Sequence, residues 1–92
     1  MAVGRAERRK LRWERAVAVF GEDTAPIALD LLELAELAWH DSYGEVTPSE
    51  DTIDDILLLS DGDINQLIQA ARLAVTDWRD LKVAADKLRN RG

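Results

Sequence analysis

The side chains with the most chemistry to offer are Glu33, Glu36 and His40. On a helix, where each residue turns by about 100°, they fall within about 60° of one another. Two carboxylates and an imidazole on one face are ligand types for a divalent metal. Di-iron bundles, however, use Glu-x-x-His on paired helices, and the Glu36 to His40 spacing is one residue longer and occurs once. With a single histidine and no cysteine, the chain has no further ligand to close a tight zinc site. The expectation is therefore a solvated acidic face with an ordinary i,i+4 Glu–His pair, and no metal.

The same histidine is the one imidazole available as a general base, and Ser42 is its neighbour in sequence. Neighbours rarely reach nucleophile–base geometry. No strand precedes a glycine-rich phosphate loop, so no catalytic residue, no cofactor and no enzymatic activity are expected. Asp61-Gly62-Asp63-Ile64-Asn65 resembles part of a calcium loop. Such a loop needs oxygen ligands at its first, third and fifth positions, glycine at the sixth and a carboxylate at the twelfth. Counting from Asp61 puts Gln66 and Arg72 at the last two, and taking Gly62 as the sixth puts Leu57 and Leu59 in ligand places. Both registers fail, and a helix cap explains the segment.

Charge supplies the remaining candidates. The net charge is −6, but residues 22–63 carry thirteen carboxylates and no Lys or Arg, whereas residues 1–21 carry six basic groups against two acidic ones. Arg5, Arg8, Arg9, Arg12 and Arg15 form a basic arc along one helix flank, the pattern that neutralises successive phosphates. The acidic block would repel a polyanion, so the expectation is that this shoulder lies beside acidic helices of its own fold. Nucleic-acid binding through the arc is the alternative, as is an acidic body that imitates a nucleic acid.

The leading expectation is a small non-enzymatic protein-interaction module, a regulator, adaptor or inhibitor, that offers an acidic helical surface to a partner protein with a basic surface. Its contact residues would be Glu33 and Glu36 with Asp51, Asp54 and Asp55, around Leu29, Leu37 and Leu58, which lie on the polar side of their helices. Those three leucines are either the apolar centre of the patch or covered by neighbouring helices.

The elements that must position these groups are helical, because apolar residues recur with a period near 3.6 and no segment alternates as a strand does. The expected architecture is all-α, a compact bundle of four helices over residues 5–20, 26–41, 48–59 and 61–90, the last one longest. Residues 1–92 form one domain, with 1–4 and 91–92 expected to be disordered. The first helix has an apolar stripe of Ala6, Trp13, Val17 and Phe20 and stops at Gly21. The second, apolar over nearly half its circumference, is expected to be central. Thr47-Pro48-Ser49-Glu50 reads as a capping box for the third helix, and Ser60 with Asp63 as one for the fourth. A near-heptad stripe from Ile64 to Leu88 marks the fourth as a spine, or as a dimer seam, which leaves monomer and homodimer both open. Trp13, Trp39 and Trp78 all fall on apolar stripes and are expected in the core. The early apolar run Ala16 to Phe20 is too short for a leader, and no apolar run approaches the roughly 18 residues of a membrane span. With no cysteine, the chain suits a reducing cytoplasm.

Overall fold

Helical periodicity becomes helix over most of the described residues, 4–91, of the computed structural model. Its elements are α1 (Arg5–Phe20), α2 (Ala25–Tyr43), α3 (Glu50–Ser60), α4 (Ile64–Thr76) and α5 (Trp78–Arg91), with no strand among the described residues. The radius of gyration, 12.4 Å, matches the about 12 Å of a compact chain this long. No helix of the described residues is long and apolar enough to cross a membrane. Of the terminal residues expected to be disordered, Gly4 is the N-cap of α1 and Arg91 the last residue of α5. The others lie outside the described residues.

The described residues form five helices where the stripe from Ile64 to Leu88 implies four. The break is at Asp77, whose extended backbone (φ −156°, ψ 95°) ends α4 and whose carboxylate accepts the Arg79 amide at 3.0 Å. An aspartate there competes with the helix for backbone donors, as cap residues do. Tyr43 holds the corner, its hydroxyl donating to the Ala74 carbonyl at 2.8 Å and accepting the Trp78 amide at 3.2 Å. The apolar spacing runs through this corner, so it carries no mark of the bend.

The caps are shifted too. Ser49, not Thr47, caps α3 by accepting the Thr52 amide at 3.2 Å, and Asp63 alone caps α4 by accepting the Asn65 amide at 2.8 Å. Ser60 instead ends α3, donating to the Leu57 carbonyl. Between them Gly62 has φ +77°, and a Cβ there would lie 2.9 Å from the Val19 backbone carbonyl. Only glycine lets this turn lean so closely on the end of α1.

The core is built from Leu29, Leu32, Ile53, Ile56, Leu67 and Leu81, with alanines of α2 and α4 allowing close helix approach. The hub is α4, which packs against α2, α3 and α5, so the centre expected at the second helix belongs to it instead. Of the three tryptophans only Trp39 is buried, its ring 4.3 Å from that of Tyr43, while Trp13 and Trp78 remain 40% and 41% exposed. For Trp78 the cause is the bend at Asp77. For Trp13 it is the orientation of α1, which buries Arg12 and Ala16 rather than the Ala6–Trp13 side.

Candidate functional site

The polar face of α1 is turned inward because α2 and α3 present carboxylates to it. Arg12, only 2% exposed, is the hub. Its Nη1 donates to Glu36 at 2.9 Å, its Nη2 to Glu50 at 2.8 Å and to the Thr47 hydroxyl at 3.2 Å, and its Nε to Glu50 at 3.4 Å. Arg8 donates to the other oxygen of Glu36, with Nη2 at 2.6 Å, so Glu36 is buried between two guanidinium groups. One turn to either side, Arg9 bonds Asp30 at 2.7 Å and Glu33 at 3.2 Å, and Arg15 bonds Glu50 and Asp54. The spacing of these arginines along α1 meets carboxylates of α2 on one side and of α3 on the other. The four guanidinium groups thus join three helices in one ion-pair ladder. At the far end Arg89 of α5 reaches buried Asp55 at 2.6 Å.

Ion pairing shifts Arg9, Arg15, Glu50 and Arg89 in the direction that keeps them ionised. Hydrogen bonding to Asp30 raises Arg9, outweighing its desolvation, and bonding to Asp55 does the same for Arg89. Desolvation opposes the charged forms of Arg15 and Glu50 most strongly, yet their mutual bonds, with Asp54 and Arg12 as further partners, raise Arg15 and lower Glu50. A carboxylate held below its ordinary value of 4.5 stabilises the fold above that pH, and the contribution is lost as pH falls through the folded value. Chemical unfolding at a series of pH values is therefore expected to show stability declining below 4.5, with Glu50→Gln flattening that decline. Equal slopes for the two proteins would contradict the role assigned to Glu50.

The residues expected to form one acidic binding patch do not share a surface. Leu29, Glu36 and Asp55 are buried, Glu33 and Asp54 are engaged by Arg9 and Arg15, and only Asp51 is exposed without an ion pair. The physical reason is that the carboxylates of α2 and α3 are the counter-ions of this chain's own arginines. Of the leucines, Leu29 lies inside, Leu37 stands beside Arg5, His40 and Val46, and Leu58 stands beside Arg15, Val19 and Arg89. They do not assemble into one apolar centre. Arg5 is exposed, but Arg8, Arg9, Arg12 and Arg15 are committed to the ladder. Glu36 faces Arg8 and Arg12 rather than His40, whose Nδ1 lies 3.2 Å from the Glu45 carbonyl. No cluster of three or more His, Cys, Asp or Glu among the described residues is placed to hold a metal. A groove of about 700 Å³ between α1 and the α2–α3 loop has as its charged lining Arg8, Arg15 and Glu50, all members of the ladder.

What sequence reading missed is an apolar surface on the opposite side of α2. Ile27 and Leu34 stand 53% and 60% exposed. A groove of about 190 Å³ beside them is lined by Leu31, Leu34, Ala35 and Ala38 of α2 and by Ile68, Ala71, Arg72 and Val75 of α4. The available signal was the breadth of the apolar arc on the second helix, wider than one core contact requires. No family model, curated protein or solved structure matches the chain.

Proposed function

We propose that this chain is a non-enzymatic protein-interaction module that docks through the exposed side of α2 and the adjoining edge of α4. One observation carries the reading: two large apolar side chains of a single helix, Ile27 and Leu34, are each more than half exposed at or beside an apolar groove. Scattered surface leucines are ordinary, whereas apolar residues gathered on one helix face mark a contact surface. Asp41 is exposed on the same side of α2 without an ion pair among the described residues, and with Asp30, which Arg9 engages, it gives the surface an acidic rim that suits basic flanks on a partner. This rim takes the place of the broader acidic surface expected across α2 and α3. The nucleic-acid reading has less support, because four of the five arginines it needs already donate to carboxylates.

Crosslinking in the native host tests the proposal by comparing the wild-type chain with an Ile27→Asp/Leu34→Asp variant. Both side chains are exposed, so the helical circular dichroism should be unchanged. The wild type is expected to capture partners that the variant loses. Identical capture by the two would overturn the docking face.

A further inference from the structure

We infer that the occupant of this face is a second copy of the chain, with α2 and α4 of each copy closing into a four-helix bundle. The inference rests on reading the α2/α4 side as the docking surface, and goes further by identifying the partner.

The first ground is spacing. On α2, Ile27, Leu31, Leu34 and Ala38 follow one another at steps of four, three and four residues, and on α4 Ile64, Ile68, Ala71 and Val75 repeat the same steps. This is the a/d repeat by which helices interlock with helices. A single seam of this kind is satisfied by one neighbouring helix. Two side by side, still open along the groove between them, call for a pair of helices opposite. Tyr43 bonds the end of α2 to the end of α4, so the C-terminal ends of the two helices lie together and their seams run in the same direction.

The second ground is charge. The outer edge of α2 carries Asp41, exposed and without an ion pair among the described residues, beside exposed Asp30, which Arg9 engages. The outer edge of α4 carries Arg72, which is exposed, lines the groove, is the one Lys or Arg of that helix, and has no carboxylate partner among the described residues. The face is thus acidic along one edge and basic along the other. A twofold axis parallel to the helices lays α2 of one copy over α4 of the other, so each Arg72 meets the partner's acidic edge and both edges are answered at once. A foreign basic helix would answer the α2 edge and leave Arg72 facing nothing of opposite sign.

Light scattering across the micromolar range, on the full chain, reads the outcome directly. The expected mass is twice 10.3 kDa at high concentration, falling on dilution. Leu34→Asp should raise the dissociation constant at least about tenfold without loss of helical signal, since an apolar centre contact is replaced by a charge. Arg72→Glu should weaken the dimer about two- to fivefold, and adding Asp41→Arg to the same chain should recover most of that loss. A mass of 10.3 kDa at every concentration, or a dimer indifferent to Leu34→Asp, would overturn the inference. If the chain is monomeric while crosslinked partners are still lost from the Ile27→Asp/Leu34→Asp variant, the docking face stands and its occupant is a different protein. If it is monomeric and capture is also unchanged, both readings fall.

Discussion

Arg12→Ala is expected to cost about 3–5 kcal/mol of stability, the scale for removing one partner of a buried ion pair. The substitution strands Glu36, buried on α2, with only Arg8 to offset its charge, and opens a void where a fully enclosed guanidinium had been. It also takes from Glu50 and Thr47 the donor that ties α1 to the start of α3. A domain of this size has about 5–14 kcal/mol to lose, so the effect is a large fraction of the whole. The damage should be uneven. In its middle turns α1 is held by the ladder and by Ala16, so its amides should exchange with solvent far sooner than those of α4. Urea unfolding and amide exchange measure the two effects. An Arg12→Met/Glu36→Leu double variant, which removes both buried charges and keeps the volume, should recover most of the stability. A loss below about 1 kcal/mol for Arg12→Ala would show that the ladder is not what holds α1.

Leu67→Ala should cost about 2–5 kcal/mol by a different route, through lost burial and the cavity left behind. Leu67 is fully enclosed on α4, the helix that packs against α2, α3 and α5. Because the hub itself is weakened, exchange should accelerate together in α2, α3 and α4, with the unfolding transition still cooperative. Acceleration confined to α4 would mean that this helix is not the hub. The two variants separate the forces in the molecule: ions fasten the N-terminal and middle turns of α1, whereas apolar packing holds its C-terminal end and the other helices.

Much of this was legible in the sequence, and the pieces that were not share a cause. The helical class and the stop at Gly21 follow from local spacing and backbone preference, which act over a turn or two. So does the segregation of charge, with arginines in the first helix and thirteen carboxylates in the following 42 residues, which are the two sides of the ladder. The bend at Asp77 was hidden because its decisive partner, Tyr43, lies 35 residues away from Trp78. The burial of Arg12 in place of Trp13 was hidden because a helical wheel ranks side chains by hydropathy alone. Five carboxylates aimed at one face reverse that ranking, and which face meets them is a property of three helices at once.

The sequence alone therefore determined the helical class and the sign of each segment's charge, because period and ionisation belong to the residues themselves. Tertiary structure decided which side of each helix faces inward. It used up the acidic surface as internal counter-charge and left Ile27, Leu34 and Leu37 outside, because burial depends on what lies across from a side chain.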